Sequence, residues 1–414
     1  MKRNTLNTFL STLNFVLIFI GYQFATSIFL PASSDIEGVS RTVTLPYRAL
    51  ALLIGFLVIF LNYKVSVGKV HIALKLFWIY WFALIIRIFY DTELRIDVHV
   101  NSTTQLWLLI FGMCIIPMYS LMKTHKYINY HKAFVWIYIG SFITLVLSLF
   151  NNPTLLSSAE EITQRAGGNL AFNSIAFGHL GTTGVIMSLF LLTKDEKMSS
   201  VTKMLVIGIM LLSFFVMLRA GSRSPIVALF VVLIFWLFAR GKNVVLGATM
   251  SIVAILVIVT FIDPILGLFG DISPIIESRL RASIYEGDSS GRNPIFETAF
   301  QAFLDKPIFG KQFAIFNNGD FGYSHNLILD SLMGLGIFGG IAMVYILWIA
   351  VKKSYFSVRN KDSNYWISLI LIQQIVLSMF SGAIYYSQLI NVLLVFVFIS
   401  NYSKKHSLFL KSIN

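Results

Sequence analysis

Polar positions are so sparse along this chain that they serve mainly to separate apolar runs. Predominantly apolar stretches lie at roughly 6–30, 45–62, 70–90, 103–122, 131–150, 169–193, 201–218, 225–239, 243–262, 323–351, 365–382 and 386–402. A helix needs about 20 such residues to cross a bilayer core about 30 Å thick. The pattern therefore predicts an all-α polytopic membrane protein of about twelve transmembrane helices, with residues 1–414 forming a single integral membrane domain. The first stretch follows Lys2 and Arg3. It is long for the apolar part of a signal peptide and more spans follow it, so it reads as a retained first span.

One connection is far longer than the rest, at about 264–322. It keeps a helical rhythm of a different kind. Ile276, Leu280 and Ile284 share one face of a segment opened by Pro274. Ile295, Phe296, Ala299, Phe300 and Phe303 form a second stripe after Asn293 and Pro294, a cap and a first helical residue, with Glu297 in the first turn. Two amphipathic helices lying at the membrane surface are expected here.

Composition adds weight to this picture and charge orients it. Hydrophobic residues make up 57% of the chain and charged residues 12%, with a mean hydropathy of +0.77. A net charge of +13 would suggest nucleic acid in a soluble protein. Here the charge sorts by side instead. With the N-terminus in the cytoplasm, alternate connections hold Lys2, Lys64, Lys123, Lys126, Lys194, Lys352, Lys353, Lys404, Lys405 and Lys411 with few acidic residues. The opposite connections hold most of the acidic ones. This positive-inside pattern puts both termini in the cytoplasm, turns the 264–322 connection outward and removes nucleic acid as a partner. The one cysteine, Cys114, sits in an apolar run and excludes a disulfide framework. No histidine pair has metal-ligand spacing and no carboxylate cluster suits a divalent cation, so neither metal nor cofactor is expected.

Basic residues on the outward side are nearly all arginine: Arg41, Arg48, Arg95, Arg165, Arg219, Arg223, Arg279, Arg281 and Arg292. Arginine's planar fork suits bidentate contact with phosphate, where lysine offers a hydrated point charge. In "LRAGSRSPIVALF", residues 218–230, Ser224 as cap and Pro225 at the first helical position would open the eighth span beside Arg219 and Arg223. A helix N-terminus flanked by guanidinium groups is an anion site, although arginines at this level also reach lipid headgroups. Arg292 precedes the second loop helix in the same way. His325 opens the tenth span at the same boundary, and an imidazole titrates in the range useful for proton transfer. His179, inside the sixth span, reads as a packed polar group.

Three segments in order resemble the O-antigen polymerase and O-antigen ligase superfamily of bacterial membrane glycosyltransferases. They are "GSRSP" at 221–225, "SGRNPIFETAFQAFLDKPIFG" at 290–310 and "HNLILDSLMGLGIFGG" at 325–340. Phe296 stands where the family often has tryptophan, and Gln312 where it often has a second glycine. The resemblance implies that Arg223 and Arg292, with Arg219 assisting, bind the diphosphate of a polyprenyl-linked oligosaccharide. It implies His325 as general base, with no cofactor. The expected function is repeat-unit polymerisation, inverting and metal-independent, at the outer face of the bacterial cytoplasmic membrane. The product would be O-antigen, capsule or exopolysaccharide; the partners would be membrane lipids and, optionally, a chain-length regulator. Two alternatives stay open: a ligase joining the glycan to a lipid core, and a glycolipid transporter or flippase. For the transporter, the run "GLGIFGG" could mark a broken helix, though close helix packing explains it more cheaply.

Overall fold

The computed structural model describes residues 3–29, 40–67, 70–95, 103–158, 165–169, 172–194, 198–241, 243–289, 291–317 and 320–399. Lys2, Lys404, Lys405 and Lys411, which help to assign the two termini, lie outside them, as does the side chain of Arg41.

Among the described residues the fold is almost wholly helical. Nine helices are long and apolar enough to cross a membrane. They are α1 (Thr5–Phe29), α2 (Thr42–Leu61), α3 (Ile72–Leu94), α4 (Thr103–Thr124), α5 (Tyr130–Asn151), α6 (Ser174–Leu192), α7 (Ser200–Arg219), α8 (Arg223–Arg240) and, further on, α13 (Leu327–Arg359). Two further helices, α9 (Val244–Thr260) and α10 (Ile262–Ile272), are apolar enough together and meet at a 68° bend, the geometry of a broken span or a re-entrant loop. Two shorter apolar helices, α14 (Tyr365–Ser378) and α15 (Gln388–Ile399), match the last two apolar runs. Between α10 and α13 lie α11 (Pro274–Tyr285) and α12 (Arg292–Asp305), the two loop helices that the stripes predict. A hairpin of β1 (Ile315–Asn317) and β2 (Asp320–Gly322) follows, antiparallel with Ile315 opposite Gly322.

The chain divides into two compact units, Met1–Leu61 with Lys126–Ser289 and Asn62–His125 with Ser290–Asn414. In the first, α6 is buried nearly all round, whereas α9 buries only Gly247 and Ser251. Both are apolar, so the difference is one of solvent: α6 faces protein and α9 presents a surface suited to lipid. Close approach of α6 and α7 depends on missing side chains, since a Cβ on Gly181 would lie 2.6 Å from the Ser213 carbonyl oxygen. Asparagine and serine start the helices: Asn129, Asn173, Ser199 and Asn243 each accept a backbone N–H two or three residues into α5, α6, α7 and α9.

The second unit is built around a break. Inside α13, Gly336 has φ 66° and ψ −158°, which interrupts the helix and frees backbone groups. The Pro307–Gly310 end of the loop docks on that gap. The Ile337 N–H donates to the Pro307 carbonyl at 2.8 Å, and the Lys311 N–H to that of Met333 at 2.8 Å. A buried ion cluster fastens the same loop from α3. Asp91 accepts from the Phe313 N–H at 2.7 Å and pairs with Arg87 and Arg95, while Arg87 donates to the Gly310 carbonyl at 2.5 Å. Beneath it Ala299 and Ala302 of α12 pack on Met333 of α13, with Ile315 and Leu329 at the edge. The α12 stripe is thus rotated from expectation: Ala299 is buried but Phe300 is exposed. In α11 the stripe holds for Ile276 and Leu280, and Ile284 faces outward.

Candidate active site

Each predicted arginine is placed by a helix end, though not always as expected. Helix α8 starts at Arg223 itself, with Ser222 as its cap residue and no side-chain cap bond. Ser224 is therefore inside the helix rather than capping it; its buried hydroxyl lies 3.3 Å from His179 Nε2. That contact gives His179 the packed polar role expected of it. The two arginines flanking the turn reach different partners within the first unit. Arg219 is buried over the Phe215 ring and donates to the Ser157 carbonyl at 3.0 Å. Arg223 Nη1 bonds the Arg279 carbonyl at 3.0 Å, Asp288 Oδ2 at 3.1 Å and the Ser283 hydroxyl. It ties the start of α8 to the end of α11. The second unit holds Arg292 and His325.

Helix α12 also starts earlier than its Asn-Pro signal suggests. Gly291 is the cap residue, in a left-handed conformation at φ 73°, and Arg292 is the first helical residue. A left-handed cap is open to glycine at no steric cost, which explains why the helix can begin before Asn293 and Pro294. The Arg292 guanidinium lies over the Phe380 ring at 5.9 Å.

His325 sits between β2 and α13 and is one of two described non-glycine residues with positive φ, at 60°. The backbone on both sides of it is bonded. Asn326 caps α13, its Oδ1 accepting from the Ile328 and Leu329 N–H groups at 3.0 and 3.2 Å. Ser324, fully buried, donates its N–H to Asp330 Oδ1 at 2.9 Å and its hydroxyl to the Asn326 carbonyl at 3.0 Å. The imidazole meets the Tyr323 ring edge-on at 4.6 Å, and its Nδ1 is buried with no hydrogen-bond partner. Burial lowers the imidazole's pKa below its usual value, and the positive charge of Arg292 lowers it further. Both effects favour the neutral ring, the form able to accept a proton.

A second wall was not read from the sequence. The connection 379–387 between α14 and α15 brings Tyr385 and Tyr386 up to Tyr323, with ring centroids 5.9 Å apart for Tyr323 and Tyr386. Cys114 and Asn391 hold this connection. The thiol lies 3.6 Å from the Tyr385 carbonyl, and Asn391 Nδ2 donates to the Ile384 carbonyl at 2.7 Å. The paired tyrosines in "GAIYYSQ", the only polar-aromatic cluster at that turn, are the signal that could have marked it.

Residues 208–344 match the family model described as O-antigen ligase. This segment is similar to the O-antigen polymerase and ligase superfamily. It covers about a third of the chain, from within α7 to within α13, and takes in Arg219, Arg223, Arg292 and His325. Neither a curated protein nor a solved structure matched the chain. The match supports glycan transfer, by a polymerase or a ligase of cell-surface polysaccharide synthesis, over transport.

A neutral imidazole predicts a definite pH dependence. If His325 accepts the proton, kcat/KM should rise with pH through a midpoint below 6.5, the ordinary histidine value, and stay level above it. Replacing Arg292 by Gln removes a positive neighbour, so the protonated form gains and the midpoint should move up. A profile unchanged in Arg292→Gln would show that the titrating group is not His325.

Proposed function

We propose that the chain is an oligosaccharide repeat-unit polymerase acting at the outer face of the bacterial cytoplasmic membrane. The observation that carries this reading is the unpartnered, buried Nδ1 of His325, held between two bonded backbone segments within the residues that match the family model. The acceptor hydroxyl oxygen attacks the anomeric carbon of the donor. Its proton passes to His325, and the bond from that carbon to the diphosphate breaks, leaving polyprenyl diphosphate with the electron pair. A single displacement inverts the anomeric configuration. Arg292 and Arg223, with Arg219, serve the diphosphate in the roles the resemblance implies, supplying charge where it grows on the leaving group. The donor's tail stays in lipid. Both termini face the cytoplasm, as the asymmetry of basic residues implies.

The description of the matching family favours a second reading, in which the same chemistry joins the glycan to a lipid core. Purified protein in liposomes, given a polyprenyl-diphosphate-linked repeat unit, separates the two. A ladder of lengthened lipid-linked glycans supports the polymerase. Transfer seen only when a lipid-core acceptor is added supports the ligase, and no transfer with either removes both.

A further inference from the structure

His325 is held in a conformation that its own side chain disfavours, so something outside the residue must fix it. On its C-terminal side the Asn326 cap does this. On its N-terminal side the anchor is Asp330, a residue on the first turn of α13 with no part in the transfer chemistry described above. Asp330 is 5% exposed. One carboxylate oxygen accepts the Ser324 N–H at 2.9 Å, and the other, Oδ2, is buried with no hydrogen-bond partner. Tyr385, whose hydroxyl is also buried and unpartnered, lies close enough for Asp330 to oppose its ionisation, after the larger effect of burial. The neighbouring Ser331 is satisfied by Tyr80 at 2.8 Å, so it offers Asp330 no separate explanation.

A carboxyl group is a poor choice for stabilising this part of an apolar bundle. It leaves an acceptor unpaired, and a side chain of similar volume without polar atoms would avoid that penalty. What Asp330 does specifically is grip the amide one residue before the imidazole. We propose that Asp330 is a positioning residue for His325: it pins Ser324 so that the left-handed turn keeps the imidazole in the placement the base needs. This rests on the reading of His325 as the base.

The test compares Asp330→Asn, which retains an acceptor for the Ser324 N–H, with Asp330→Leu, which has similar volume and none. Asp330→Leu should lower kcat about 10²-fold through misplacement of the base, with the donor KM little changed. Asp330→Asn should stay within about threefold of the parent, because the anchor needs an acceptor rather than a charge. Thermal unfolding in detergent should show both variants folded. A second readout is independent of turnover: carbethoxylation of His325 by diethyl pyrocarbonate, resolved by peptide mass spectrometry, should speed up in Asp330→Leu and not in Asp330→Asn. Equal labelling and equal kcat in parent and Asp330→Leu would overturn the proposal. If Asp330→Leu does not fold, Asp330→Ala carries the same comparison. Should His325→Ala retain activity, the base reading fails, while the labelling result still decides whether Asp330 fixes the turn.

Discussion

His325→Ala is expected to lower glycan transfer by about 10²- to 10⁴-fold, the usual contribution of a positioned general base. The loss should fall on kcat, because the donor's diphosphate is assigned to arginines rather than to the imidazole. Alanine brings one complication. The backbone at position 325 has φ 60°, and alanine holds that conformation poorly. His325→Asn is the cleaner probe, since asparagine is among the residues most often found in the left-handed region and cannot accept a proton at neutral pH. Both variants should therefore be inactive, with His325→Asn unfolding closer to the parent. Rates of chain extension in liposomes at saturating donor, read beside thermal unfolding, check this. Transfer within tenfold of the parent in His325→Asn would remove His325 as the base.

The spans and the histidine were legible for the same reason. Both are marked by type: apolar runs of membrane length admit few other readings, and His325 is polar where nearly everything around it is not. Helix starts were less legible. Ser-Pro at 224–225 and Asn-Pro at 293–294 are strong start signals, yet the helices begin at Arg223 and Arg292. In each case the helix gains a residue that bonds or stacks elsewhere, Arg223 on α11 and Arg292 on Phe380. Each boundary lies two positions earlier than its signal. The hairpin was signalled and missed: "IFNNGDFG" places Asn-Gly between two short apolar-polar segments, the usual mark of a tight hairpin. Three-residue strands are too short to show alternation on their own.

Least legible were pairings between distant segments. Nothing in the sequence says that Asp91, in the third span, receives the Phe313 N–H, or that Cys114 and Asn391 hold the tyrosine connection. Arg95 was read by side and residue type as one of the outward arginines suited to anions. The structure shows it paired with a fully buried carboxylate. Buried ion pairs of this sort specify which segments meet more than they stabilise, and a residue-by-residue reading cannot see the partner. The site needs these fastenings because its polar groups come from segments far apart in sequence.

Glycines 334 to 340 carry the second large effect. Gly336→Ala is expected to destabilise the second unit by about 3 kcal/mol or more, from a glycine-only backbone region together with a steric clash. With φ 66° and ψ −158°, Gly336 occupies a region that residues with a Cβ do not share. The added atom would also lie 2.2 Å from the Ile308 carbonyl oxygen, a backbone group that cannot swing aside as a side chain can. Close packing and a broken helix, alternatives in the sequence, are thus one feature: the helix breaks at Gly336 so that the Pro307–Gly310 backbone can dock there. Gly208→Ala is the control, because nothing lies within 4 Å of a Cβ on Gly208, in mid-helix of α7. Alanine there should be neutral or stabilising by about 0.5–1 kcal/mol. Thermal unfolding of both variants in detergent decides the matter. If Gly336→Ala unfolds with Gly208→Ala, the break is not holding the loop. If it unfolds well below, transfer should fall with it, since the docked loop runs through β1 and β2 directly into His325.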